Sequence, residues 1–172
     1  MTMSSPLQPE PSPEQMSNPQ APLWSRRIGV GQEHSVSRTV SESDVYSFAG
    51  ITGDLNRIHL DAPFAATTKF SDRLVHGAYI LGLISAASTK LIDASGGFAV
   101  AYGHDRIRYL APSFIGDTLT VLYRPTDIDL ASGKVHSEVE VRNQYGALVT
   151  VGSHIVLFLD EKATTSSSVG DK

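Results

Sequence analysis

The sequence predicts an α+β fold in which an antiparallel sheet curls around one long helix. Small and apolar residues dominate residues 76–93 and leave few polar groups on any face, which indicates a buried helix. From Ala99 onward apolar residues instead alternate, most regularly between Val149 and Leu159, as they do in strands. One buried helix followed by several strands is typical of an α+β domain with the sheet closed over the helix.

The chain of 172 residues is long enough for one domain with a substantial core. Residues 1–22 contain six of the nine prolines and almost nothing apolar, and the end of the chain is rich in Ser and Thr. Such segments cannot recover their ordering entropy by burial. We therefore expect disordered tails at 1–23 and 161–172, and a folded unit at 24–160.

Shorter helices are predicted before the long one. Ser41 followed by Asp44 has the spacing of a helix cap, and Gly50 and Gly53 would end that helix. Asp61 would cap a second short helix over residues 62–67. Turns at 129–133 and 143–146 would join the later strands.

The composition excludes several classes of protein. The net charge of −4 gives no global attraction for nucleic acid. The absence of cysteine excludes disulfides, thiolate metal sites and cysteine nucleophiles. No signal peptide or apolar run of about 20 residues is present, so the cytoplasm is the expected location.

The most informative segment runs from Gly50 to Gly77. It places a carboxylate, Asp54, and an imidazole, His59, in one short polar loop, and it supplies backbone N–H groups where the long helix begins at Gly77. Proton transfer needs two groups of unlike pKa near one substrate atom, and a polarised carbonyl needs fixed donors. The segment therefore suggests acid–base chemistry on a carbonyl compound.

Residues 46–86, YSFAGITGDLNRIHLDAPFAATTKFSDRLVHGAYILGLISA, carry a family resemblance. The blocks Thr-Gly-Asp-x-Asn-x-x-His-x-Asp, Phe-Ala-Ala-x-x-x-Phe and Val-His-Gly together resemble the MaoC-like (R)-specific enoyl-CoA hydratases. The resemblance implies the hot-dog fold. It also implies reversible addition of water to the 2,3-double bond of an enoyl-CoA thioester, giving the (R)-3-hydroxyacyl-CoA, with no cofactor.

The resemblance also implies roles for individual residues. Asp54 and His59 match the catalytic pair, which holds one water, and which of the two is the base stays open. Gly77 matches the glycine whose N–H points at the thioester oxygen. Ser85 matches a serine near the active site, although a small residue on a buried helix can equally serve packing. Asn56 could orient the water or bond to the loop backbone.

Two nearby residues need separate interpretation. His76 is expected to stabilise the loop or the start of the long helix, so it is not counted as catalytic. Arg57 stands where the family usually has proline, and either it is a solvated surface cation or it meets a second carboxylate on a dicarboxylic acyl chain.

Four cations are candidates for binding the phosphates of coenzyme A: Lys69, Arg73, Arg106 and Arg108. The six histidines show no paired spacing for a metal, so no metal site is predicted.

Other functions remain open at this level. The enzyme could act on acyl-carrier-protein thioesters or be a thioesterase, since one fold hosts many reactions. It could also be a non-catalytic acyl-binding protein. A single curled sheet leaves an exposed edge, so a homodimer or a dimer of dimers is expected.

Overall fold

The computed structural model describes residues 10–11 and 19–159. Residues 1–9 and 12–18 of the predicted N-terminal tail, residue 160 of the predicted folded unit and the whole predicted tail at 161–172 lie outside these residues. The end of the predicted N-terminal tail differs from expectation, because Ala21 is buried and its carbonyl accepts two hydrogen bonds from Arg26, at 2.8 and 3.0 Å. A short 3-10 helix at Ser25–Arg27 follows.

The described residues form one antiparallel sheet of five strands and four α-helices. The strands are β1 (His34–Thr39), β2 (Phe98–Tyr109), β3 (Thr118–Asp129), β4 (Lys134–Arg142) and β5 (Leu148–Leu159), and the helices are α1 (Glu42–Thr52), α2 (Arg57–Leu60), α3 (Ala62–Ala66) and α4 (Gly77–Ser95). The strand order is β1-β3-β4-β5-β2, so β1 and β2 are the two edges.

The core lies between α4 and the concave face of the sheet. Alternate residues of the central strands are fully buried, and they pack against the buried stripe of α4: Ile80, Leu83, Ile84, Ala87 and Leu91. The predicted α+β fold is therefore confirmed. Of the described helices, none combines the length and apolar character needed to span a bilayer.

Two predictions about helices need correction. The long helix is not buried all round, because Gly82, Ser85, Ala86 and Thr89 leave one face of α4 exposed. The loop after Gly53 contains α2, a single helical turn that was expected to be irregular. Asn56 caps this turn by accepting a hydrogen bond from the Ile58 N–H at 3.2 Å.

The helix caps explain how the loop that carries Asp54 is positioned. Ser41 and Asp44 form the predicted capping box at the start of α1. Gly53, not Gly50, ends α1: it adopts a left-handed conformation with φ of 77° and donates to the Ala49 carbonyl. The chain therefore reverses at Gly53 and brings Asp54 toward the start of α4.

Candidate active site

His59 is fixed by a backbone carbonyl of a distant segment. Its Nδ1 lies 2.8 Å from the carbonyl oxygen of Leu74. A carbonyl only accepts hydrogen bonds, so Nδ1 carries the proton and the neutral ring leaves Nε2 as an acceptor. The Leu74 N–H in turn donates to the Ile58 carbonyl at 3.0 Å, which ties α2 to the strand-like segment before α4.

Half-burial lowers the pKa of His59 below its ordinary value. The hydrogen bond to the Leu74 carbonyl opposes this shift, while the facing His76 ring reinforces it and the Asp54 charge opposes it. Because burial is the largest effect, the ring is neutral at pH 7. Its Nε2 can therefore accept a proton.

Asp54 is held mainly through its backbone and leaves its carboxylate exposed. The Asp54 N–H donates to Thr52 Oγ1 at 3.3 Å, and Oδ1 accepts a long hydrogen bond of 3.4 Å from the Asn56 N–H. The Asp54 carbonyl accepts a hydrogen bond from His76 Nε2 at 3.1 Å. The carboxylate therefore faces solvent with capacity for further hydrogen bonds.

The structure brings Asp54 and His59 together with His76. One side-chain donor or acceptor atom from each of the three lies within 4.8 Å of the others. This spacing alone would also suit a cation, but His76 uses Nε2 for the Asp54 carbonyl and its Nδ1 is buried. Only Asp54 and His59 keep accessible atoms, which fits proton transfer, and the absence of a metal stays a prediction.

Gly77 is the first residue of α4, as predicted, and His76 is the N-cap residue. The first turn of a helix has N–H groups without intrahelical partners, and the helix dipole adds positive potential there. A methyl group at Gly77 would approach Tyr109 Cζ to 2.8 Å. Only glycine therefore lets the Tyr109 ring lie so close to the helix start.

His59 and Gly77 line the same cavity, of about 200 Å³, and Tyr109 forms part of its wall. A second cavity of about 410 Å³ contains Lys69 and shares the Tyr109 wall. A substrate spanning both cavities would place one part against His59 and Gly77 and another beside the Lys69 cation.

Among the other predicted site residues, Asn56 adjoins the pair, because its N–H donates to Asp54 Oδ1 at 3.4 Å. Asn56 uses its side-chain oxygen as the cap of α2. Ser85 lies on the exposed face of α4, where its carbonyl accepts hydrogen bonds from Ser88 and Thr89.

Arg57 makes two hydrogen bonds to Asp61 Oδ2, at 2.9 and 2.8 Å, and its guanidinium lies 4.3 Å from the centre of the Phe64 ring. Its side chain is 65% exposed, so the structure favours the surface interpretation. Asp61 also caps α3 through the Phe64 N–H, as predicted.

Among the cations proposed for coenzyme A, Lys69 alone lines a described cavity. Arg73 is paired with Glu42 at 2.6 Å and donates to the Tyr46 hydroxyl. Arg108 donates to the Ile107 carbonyl, and Arg106 has a φ of 53° in an irregular part of β2.

The sequence did not predict two parts of the site, Tyr109 and the Leu74 carbonyl. Tyr109 ends a strand 32 positions after Gly77, and nothing in its local pattern links it to that glycine. The Leu74 carbonyl that orients His59 is a backbone group, which side-chain motifs do not report.

Comparisons with known proteins identify the family of the chain. Residues 24–147 match the MaoC like domain family. The chain is 37% identical over 101 residues to an (R)-specific enoyl-CoA hydratase of Rhodospirillum rubrum, covering 59% of this chain and 68% of that protein.

Solved structures confirm the hot-dog fold. The (R)-hydratase from Aeromonas caviae superposes with a TM-score of 0.70 at 28% identity, covering 77% of this chain and 98% of that one. The R-hydratase PhaJ1 from Pseudomonas aeruginosa gives 0.69 at 31% identity, covering 82% and 88%. The match over most of the chain, together with the fold, shows that this protein belongs to the MaoC-like domain family.

Proposed function

We propose that this protein reversibly adds water to the 2,3-double bond of an enoyl-CoA thioester to give the (R)-3-hydroxyacyl-CoA. The observation that carries the proposal is the neutral His59, oriented by the Leu74 carbonyl, with Asp54 within 4.8 Å. Relatives named as (R)-specific enoyl-CoA hydratases support the choice of substrate and product.

The proposed reaction uses one water held by Asp54 and His59. One residue of the pair, unprotonated at the start, accepts a proton from the water as the water oxygen bonds to carbon 3. The double bond becomes single as the other residue, protonated at the start, delivers its proton to carbon 2. Return of one proton from the first residue to the second, through a further water, restores the starting pair. His59 Nε2 is an acceptor in the neutral ring, so it can take the water proton. The reverse sequence is the dehydration.

In the proposed mechanism, the backbone N–H of Gly77 stabilises the negative charge on the substrate. Negative charge develops on the thioester oxygen as water adds, and the N–H groups at the start of α4 can stabilise it. The cavity shared by His59 and Gly77 allows one bound thioester to reach both. Lys69 in the adjoining cavity is a suitable partner for a phosphate of the coenzyme.

The roles proposed for Asn56, Ser85 and Arg57 stay predictions. For Arg57, a second carboxylate on the substrate would have to share the guanidinium with Asp61, which already accepts two of its hydrogen bonds. A monocarboxylic acyl chain makes no such demand, so we expect it to be the better substrate.

We further infer that two copies pair along β2. This strand is an unpaired edge in the single chain, and Phe98, Val100 and Tyr102 expose 54%, 40% and 56% of their surface. Edge strands with exposed apolar residues tend to associate. A second copy placed on β2 would cover them and satisfy the free backbone groups.

The decisive test is hydration of crotonyl-CoA, followed as loss of absorbance of the enoyl thioester, with chiral analysis of the product. We expect the R product from the wild type. Asp54→Asn and His59→Ala should each lower kcat by on the order of 10²-fold or more. Asp127→Asn, at an exposed position of β3, is the matched control and should retain activity.

The outcomes separate the alternatives. If the wild type is inactive on crotonyl-CoA but active on carrier-protein thioesters, the substrate carrier would be acyl-carrier protein and not coenzyme A. Release of free coenzyme A would indicate a thioesterase. Acyl-CoA binding without turnover would indicate a binding protein.

A further inference from the structure

His76 is buried against both residues of the catalytic pair. Its side chain is 1% exposed. Its Nε2 lies 3.1 Å from the carbonyl oxygen of Asp54, and its ring stacks on the ring of His59 with centroids 3.8 Å apart and planes inclined by 27°. One imidazole therefore contacts both members of the pair from within the protein.

The hydrogen bond to Asp54 limits the movement of an otherwise exposed loop. Gly53 on one side of Asp54 can adopt many backbone conformations, and the other hydrogen bonds that hold Asp54 measure 3.3 and 3.4 Å. The shorter bond from His76 ties the Asp54 backbone to the N-cap of α4. The backbone that carries the carboxylate is thereby tied to the residue that precedes Gly77.

The stacking contact restrains His59 in a different way. The Leu74 carbonyl fixes one edge of the His59 ring, and the face of His76 limits rotation about that hydrogen bond. Phe48 lies on a further side of His76, with ring centroids 5.0 Å apart, and keeps it in place. Two aromatic contacts and one hydrogen bond therefore fix the His76 ring.

We propose that His76 is a positioning residue, which holds Asp54 and His59 in the mutual geometry that proton transfer to and from one water requires. This proposal rests on the hydratase function proposed above. His76 does not itself exchange protons with substrate, because Nε2 donates to a carbonyl and Nδ1 is buried. Both contacts are made by protein groups alone, so they can preorganise the pair.

Two substitutions separate the two contacts. His76→Phe keeps an aromatic face against His59 but removes the donor to the Asp54 carbonyl. His76→Gln keeps an N–H donor at a similar reach but removes the ring. His154→Phe and His154→Gln are matched controls, because His154 is also fully buried but lies in β5 and lines neither described cavity.

The readouts are kcat and KM on crotonyl-CoA, the pH profile of kcat/KM, and titration of the His59 imidazole by NMR. We expect His76→Phe to lower kcat by on the order of 10- to 100-fold with KM changed less than about twofold, since misplacement of a catalytic group acts on the chemical step. His76→Gln should retain more activity than His76→Phe.

His76→Gln should also move the titration of His59 to higher pH. The groups that face His59 are Asp54, the Leu74 carbonyl and His76, and the last lowers the pKa of His59 by repelling its protonated form. Removing the ring removes this repulsion and part of the burial. The acidic limb of the pH profile should shift in the same direction.

Three results would overturn the proposal. The first is wild-type kcat in both folded His76 variants. The second is an equal loss of kcat in both with an unchanged His59 titration, which would indicate general support of the fold. The third is an equal loss in the His154 controls. If either His76 variant does not fold, the other still tests its own contact. An inactive wild type would contradict the proposed function, whereas the His59 titration would still test the contact with His76.

Discussion

The ring of Tyr109 lies against the backbone of Gly77, so closely that a methyl group on Gly77 would come within 2.8 Å of Tyr109 Cζ and 2.9 Å of Cε2. The ring also forms a wall common to the two cavities, one containing His59 and the other containing Lys69. Tyr109 is 51% exposed, so it can move aside without disturbing the core. The Gly77–Tyr109 contact thus lies at a wall that the two cavities share.

Gly77→Ala should displace the Tyr109 ring and narrow the site. The backbone φ at Gly77 is not in the left-handed region, so the effect is one of space and not of backbone strain. We expect kcat/KM on crotonyl-CoA to fall by on the order of 10-fold or more, as for a misplaced substrate. Tyr109→Ala should restore part of the loss in the double variant. Equal loss in the single and double variants would contradict this explanation.

The helices and strands that follow local patterns were predictable. The capping box at Ser41 and Asp44, the Asp61 cap and the alternation of the later strands each depend on residues close together in sequence. β1 escaped prediction because its sequence, HSVSRT, is largely polar. It forms as an edge strand by pairing with β3, from His34 opposite Tyr123 to Thr39 opposite Thr118.

The site was predictable only in part, because some of its contacts join residues that are distant in sequence. Asp54 and His59 share a motif, but His76 is 17 positions from His59 and stacks on it only because α4 and α2 meet in the folded chain. The Arg57–Asp61 pair, by contrast, joins residues four positions apart, and it was missed because this segment was expected to be a loop and not a helical turn. The contact of His76 with His59 therefore depends on tertiary packing, and the contact of Arg57 with Asp61 on local helix formation.

The buried His154 predicts loss of stability in mild acid. Burial lowers the pKa of His154 to about 4, and the neighbouring His104 ring, stacked at 4.4 Å, adds to the shift. In the unfolded chain His154 therefore binds a proton near pH 6.5, whereas in the folded chain it binds one only near pH 4. The contribution to stability is complete above pH 6.5 and is lost as the pH falls toward 4, by up to about 3 kcal/mol.

Urea unfolding at pH 7.5 and pH 5 would measure this loss. The variant Tyr123→Phe/His154→Leu should lose less stability on acidification than wild type. The first change is needed because Tyr123 Oη lies 3.1 Å from His154 Nδ1 and would otherwise lose this buried hydrogen bond. Tyr123→Phe alone keeps His154 and should retain the wild-type pH dependence. The same pH dependence in the double variant would show that other groups are responsible.

Pairing of two copies along β2 predicts that a charge on this edge separates them. Val100→Glu would place a carboxylate among the exposed apolar residues Phe98 and Tyr102, where a second copy would have to bury the charge. We expect light scattering after size-exclusion chromatography to show a dimer or a dimer of dimers for wild type and a monomer for Val100→Glu. Tyr145→Glu, an equivalent change at an 83% exposed turn position, is the control and should leave the assembly intact. A monomeric wild type would contradict pairing altogether, and a Val100→Glu variant with the wild-type mass would place the contact between copies elsewhere on the molecule.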